Sequence, residues 1–213
     1  MPIWPDQNVY LGMARKTLDD VKHMIKWSGD DRPPDFEGWD LSGLDLAYFY
    51  FRDANLARAN LEKANLTRAK LVNADLRGAV MDKSQLNDAN LQFACLVRAS
   101  LREANLSDAW LVGADLTGAD LSWANLSSAN IENGNLARAD LSSARLHEAN
   151  LENANLRMAD LMRADLSSAC LVNARMEGAD LRLAKLIGAD LTGAKLNGAN
   201  LTGAIMPDGT NHV

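Results

Sequence analysis

Residues that carry covalent or metal chemistry are scarce in this chain, which has two cysteines and three histidines in 213 residues. His23, His147 and His212 lie far apart, and there is no C-x-x-C, no H-E-x-x-H and no phosphate-binding glycine loop. These absences argue against an enzyme and against a bound metal or other cofactor. With only Cys95 and Cys170 there is no disulfide framework, which fits a reducing compartment and a cytoplasmic protein. No apolar run approaches the length of a membrane span, and Met1 to Lys16 lacks the basic start and hydrophobic core of a signal peptide. An excess of positive charge is missing too. At a net charge of −6, direct binding to nucleic acid or to an anionic membrane is not expected.

What the chain has in abundance is one five-residue phrase. A large apolar residue stands at every fifth position from Phe36 to Met206, thirty-five times in all, and is called the centre below. Two residues before it, from Ala54 to Ala204, the residue is alanine everywhere except Ser84 and Gly134. An α-helix turns about 100° per residue, so residues five apart would scatter around its surface. A flat strand alternates faces every residue, so the leucine set would be split between its two faces. The pattern is satisfied if each pentad is a short extended segment followed by a corner of about 90°. Four pentads then close a square coil of twenty residues with both apolar sets inside. The second residue after the centre is glycine ten times, as at Gly78 and Gly118, which points to type II turns whose second central residue needs a positive φ. Because Arg58, Arg98 and Ser128 hold the same place, a second turn type is expected beside the first.

The phrase A-(D/N)-L-x-x, as in Ala54-Asn55-Leu56 and Ala159-Asp160-Leu161, resembles that of the pentapeptide-repeat proteins and covers about four-fifths of the chain. The resemblance implies an all-β solenoid, a right-handed quadrilateral β-helix, with handedness taken from the family and not from the spacing. Nearly nine coils at the β spacing of roughly 4.8 Å give a rod about 40 Å long. The ending Ala204-Ile205-Met206-Pro207-Asp208-Gly209 is similar to that of cyanobacterial members of the family.

Three segments follow: an N-terminal helical cap over residues 1–34, the β-helix over 35–207 and a tail over 208–213. In the first, Leu11, Ala14, Leu18, Val21 and Ile25 recur at helical spacing, with Asp6 or Thr17 as N-cap and Pro33-Pro34 as a stop. Because Thr17 with Asp20 can start a second helix, one bent amphipathic helix or two short ones are expected to cover the apolar end of the solenoid. The bulky Phe36, Trp39, Leu44, Phe49, Tyr50 and Phe51 are expected to plug the first coil. At the other end, either the tail folds over the last coil or a homodimer forms there. Ser84, placed inside, must hydrogen-bond a nearby backbone carbonyl.

Residues twenty apart should stack, so the surface can be mapped in columns. Asp120, Asp140, Asp160 and Asp180 form one column, in which like charges predict raised pKa values. Glu103 to Ala137 holds five acidic residues, including Asp108 and Asp120, and no lysine or arginine. Trp110 and Trp123 lie in this belt at outward positions, flanking a serine-rich side. They are candidate anchors for a protein partner, against the plainer reading that each lies flat on its neighbours. The aspartate column could imitate DNA phosphates. The plainer reading is that Asp or Asn simply favours the place before the centre, where it occurs twenty-two times in thirty-five.

Two function classes remain. One is a noncatalytic protein-interaction scaffold with a regulatory role and an unidentified protein partner. The cyanobacterial members that resemble this chain include a regulator of heterocyst differentiation. The alternative is a DNA-mimicking modulator of DNA gyrase, as in the quinolone-resistance branch of the family. Members of that branch dimerise through a C-terminal element, and some carry projecting loops, neither of which is visible in this uninterrupted repeat.

Overall fold

A computed structural model of the chain describes residues 16–28 and 33–212. From residue 35 the backbone follows the sequence period. Each residue before a centre is bridged in parallel to the residue twenty positions on, from Asp35 with Asn55 to Lys185 with Ile205. One circuit therefore takes four pentads, and successive circuits stack as rungs. The sides are short: among the described residues no bridge extends into a longer strand.

Backbone hydrogen bonding explains why the pentad has its composition. In Ala54 to Arg58 every N–H is used. Ala54 donates to Phe51 O at 3.1 Å, closing the turn, while Asn55, Leu56 and Arg58 donate to the neighbouring circuits through Pro34 O, Asp75 O and Arg77 O at 2.7 to 2.9 Å. The fifth, of Ala57, donates to the side-chain Oδ1 of Asn55 at 3.1 Å. A carbonyl-bearing side chain of two-carbon reach before the centre thus satisfies the one donor that the stack leaves over. The same bond recurs at Asp75, Asn105, Asp140 and Asn200. Asparagines add a second link, donating from Nδ2 to the residue one rung back, as Asn155 does to Asn135 at 2.8 Å.

The corners correct one expectation. All thirty-four corner residues from Gly38 to Gly203 have φ between 55° and 72°, and twenty-four of them are not glycine. Arg58, Arg98 and Ser128 adopt the same left-handed conformation as the glycines, so no second turn type is present at these positions. The ring of inter-rung bonds fixes the corner whatever residue occupies it. The side chains that tolerate left-handed backbone worst are excluded: no valine, isoleucine or threonine occupies a corner, whereas Val72, Val97, Val112 and Ile187 stand one position earlier.

The centres from Phe36 to Leu181 and nearly all of their partner alanines are fully buried in one continuous column. At about 1.5 to 3 kcal/mol per buried leucine this column is the main stabilising term. Ser84 is fully buried, and its hydroxyl donates to Met81 O at 2.7 Å, as its place inside requires.

Helix α1 spans Leu18–Trp27, with Thr17 as N-cap in a reciprocal capping box with Asp20. It ends at Trp27, short of the Pro33-Pro34 stop, and the expected contributions of Asp6, Leu11 and Ala14 lie outside the described residues. Val21 is fully buried, and Leu18, Met24 and Ile25 pack on the core. Lys16 N–H donates to Asp40 O at 2.9 Å. Beneath the helix, Phe36 meets Trp39 and Phe51 edge-on at 5.2 and 5.5 Å, whereas Tyr50, expected in the plug, stands before a centre and faces outward, 70% exposed.

At the other end the tail folds back over one side: Ile205 bridges antiparallel to Asn211, and His212 N–H donates to Ala204 O at 2.8 Å. The remaining sides of the last circuit stay open. Leu191, Leu196 and Leu201 are only partly buried, and their N–H groups meet no main-chain acceptor among the described residues.

Candidate interaction surface

Within each described pentad the residue before the centre, the residue after it and the corner residue face outward, so recognition along the rod comes from these three positions. Trp110 is a residue before a centre, bridged between Asn90 and Asn130, and is 53% exposed. Trp123 is a corner with φ 62° and is 68% exposed. They sit at the two ends of the serine-bearing side, as the register implies, with that side between them. Asp108, also a corner and exposed, stands two residues before Trp110. Trp123 borders a shallow open groove with Glu103, Asn105, Asn125, Ser143 and Arg145.

Asp120, Asp140, Asp160 and Asp180 do stack, bridged on successive rungs. Their carboxylates are committed to the backbone: Oδ1 of each accepts from the N–H two residues on, at 3.0 Å from Ser122, 2.8 Å from Ser142, 2.9 Å from Met162 and 3.1 Å from Arg182. Ser122 Oγ adds a second donor to Asp120 at 2.6 Å. The expectation of raised pKa values fails at Asp180. There the Arg182 guanidinium, donating from Nε and Nη2 at 2.9 and 2.6 Å, holds the carboxyl below its ordinary range. The column serves the backbone before it serves any surface.

Sequence reasoning missed Phe93. It is a corner residue with φ 58° and 62% exposed, and its ring lies on the next rung against Gly113. Phe93 therefore shares a side with Trp110, which the Trp110–Trp123 pairing did not bring out. The signal was present in the column of residues twenty apart, where Phe93 precedes a residue without a side chain.

Cys95 and Cys170 are free thiols in different columns. Among the described residues no group of three His, Cys, Asp or Glu side chains could hold a metal ion, and no helix is long and apolar enough to cross a membrane.

A stack of four-cornered circuits with a single side-chain core defines a tandem-repeat solenoid. The chain belongs to the pentapeptide-repeat family: the model for pentapeptide repeats matches with eight copies, over residues 40–82, 64–102, 84–122, 119–157, 144–182, 159–198 and 184–208. Among solved structures it is similar to HetL, a pentapeptide-repeat protein involved in heterocyst differentiation regulation in the cyanobacterium Nostoc sp. strain PCC 7120. That match is 32% identical, covers 93% of this chain and 100% of HetL, and has a TM-score of 0.58. Rfr23, from the cyanobacterium Cyanothece 51142, is 37% identical over 47% of this chain and 58% of its own, with a TM-score of 0.28. A trypsin-treated variant of QnrB1, a plasmid-mediated fluoroquinolone resistance protein, is 19% identical over 78% of this chain and 88% of its own, with a TM-score of 0.48. No curated protein matches.

Proposed function

We propose that this chain is a noncatalytic protein-interaction scaffold with a regulatory role: a right-handed quadrilateral rod, capped at one end by α1, that presents fixed outward side chains to a protein partner in the cytoplasm. The observation that carries the reading is the exposure of Trp110 and Trp123, at 53% and 68%, on a scaffold whose centres from Phe36 to Leu181 are buried in one column. Exposed tryptophans on a rigid frame lose little conformational entropy on binding and are frequent interface anchors. The likeness to HetL, itself described as involved in differentiation regulation, supports a regulatory assignment. Asp108, Asp120, Asp140, Asp160 and Asp180 complete the candidate surface as its acidic surround. The open N–H groups and half-buried leucines of the last circuit support a homodimer at that end, which sedimentation would detect.

Affinity capture from the native host tests the reading. Wild type and a Trp110→Ala/Trp123→Ala variant should recover different partner sets, and identical sets would discard the patch. The gyrase reading rests on the aspartate column, whose carboxylates are bonded to the backbone, so no effect on supercoiling is expected at micromolar protein.

A further inference from the structure

We propose that Trp110, Val112 and Phe93 form a seat for a basic segment of a partner protein that inserts an apolar side chain. This rests on the scaffold reading above and specifies its site and the chemistry of its partner. Phe93 N–H donates to Val112 O at 3.0 Å, which places Phe93 one rung before Val112 at the edge of the side that carries Trp110. A Cβ added at Gly113 would lie 2.7 Å from two atoms of the Phe93 ring, so the missing side chain lets the ring settle on that rung beside Val112. Two aromatic rings, each more than half exposed, thus share one side with a half-buried valine between them.

The rim is acidic. Asp88 and Asp108 follow one another in the corner column that precedes Trp110, and Glu132 lies one rung below Val112. Cations already answer the upper acids, Arg68 pairing with Asp88 at 3.3 Å and Lys83 with Glu103 at 3.6 Å. Asp108 makes no ion pair among the described residues, and no lysine or arginine occurs from Glu103 to Ala137. A guanidinium or ammonium flanking an apolar anchor meets both demands, lying over an exposed ring while neutralising Asp108 and Glu132. The seat spans few rungs, so it suits a short segment and not a broad domain surface. The competing occupant is a second copy of this chain, whose Arg52–Arg102 stretch is also basic.

The test uses the full chain and a panel of fluorescent twelve-residue peptides in which one leucine or tryptophan is flanked by four arginines, with a matched panel bearing glutamates instead. Anisotropy should show binding by arginine peptides and none by glutamate peptides. Phe93→Ala and Trp110→Ala should each weaken it by about tenfold, the loss typical of an interface anchor. Asp108→Lys should weaken it severalfold and flatten its salt dependence. Met158→Ala, at an exposed corner in a different column, should leave it unchanged, and all four variants should melt with wild type because these side chains are exposed. Absence of arginine-peptide binding, preference for glutamate peptides or indifference to Phe93→Ala and Trp110→Ala would overturn the seat. So would self-association of wild type that Trp110→Ala abolishes. If native partners are captured equally by wild type and the Phe93→Ala/Trp110→Ala variant, the seat fails while the scaffold reading stands.

Discussion

Replacing Ser128 by valine should destabilise the protein, although the side chain is exposed and the new one is barely larger. Ser128 is a corner with φ 56°, and its N–H donates to His147 O at 2.9 Å, so the corner cannot relax toward negative φ without giving up a bond between rungs. A non-glycine residue held in left-handed backbone costs about 1 to 3 kcal/mol, and β-branching moves the cost toward the upper end. Serine already bears the lower end of that cost, so valine adds about 1 to 2 kcal/mol; with each kilocalorie lowering the melting temperature of a chain of this size by roughly 2 to 4 °C, Ser128→Val should melt roughly 2 to 8 °C lower. The control is Ser107→Val, at the place where Val72 and Val97 occur naturally, with an expected effect within about 0.5 kcal/mol. Ser128→Gly should be neutral or slightly stabilising, because relief of the left-handed strain offsets the extra chain entropy of glycine. Thermal melts followed by circular dichroism give the order Gly at or above Ser, then Val. Equal melting of Ser128→Val and Ser107→Val would refute the claim that the stack imposes the corner conformation.

Other consequences follow from the same geometry. Leu126→Ala, in the fully buried column, should cost about 2 to 5 kcal/mol, and Leu126→Asp should abolish the cooperative melt by breaking the stack on both sides. Ser84→Ala should be neutral or stabilising by up to about 1 kcal/mol. It removes a buried hydroxyl, and Met81 O still accepts from the residue 84 N–H at 3.1 Å. Acid should weaken the fold. Arg77 beside Asp75, Arg182 beside Asp180 and Thr17 beside Asp20 hold these carboxyls below their ordinary value near 3.8. The unfolded chain then takes up protons first, so stability is present above that value and is lost as pH falls below it. Melting temperature should therefore stay flat from pH 6 to 8 and drop as pH falls through about 4 and below.

The solenoid period, the inward leucine and alanine columns and the stacking of Asp120 on Asp140 could be read from the sequence because a fivefold spacing has few backbone solutions. The buried Ser84 bond followed from the cost of an unpaired hydroxyl. The uniform corner conformation could not be read from residue identity at the corner, since Arg58 and Ser128 carry no preference for it. The ladder of inter-rung N–H bonds imposes it, and its trace in the sequence is an absence, that of β-branched residues. The role of Asp and Asn before each centre was likewise hidden: the frequency was visible, but the leftover N–H they satisfy appears only once every other donor has been accounted for. The like-charge argument for the aspartate column failed at Asp180 because Arg182, two residues along, donates directly to that carboxylate and outweighs a like charge one rung away. Pairing Trp110 with Trp123 looked along the chain, whereas Phe93 reaches the Trp110 side from the preceding rung.

The rung spacing is open to direct measurement. Lys70 and Cys170 belong to one column through five successive bridges, by way of Asn90, Trp110, Asn130 and Asn150. In a Cys95→Ser/Lys70→Cys chain, spin labels on residues 70 and 170 should give a pulsed electron paramagnetic resonance distance centred near 24 Å, five steps of roughly 4.8 Å. A distribution centred more than about 10 Å away from that value would contradict a circuit of twenty residues.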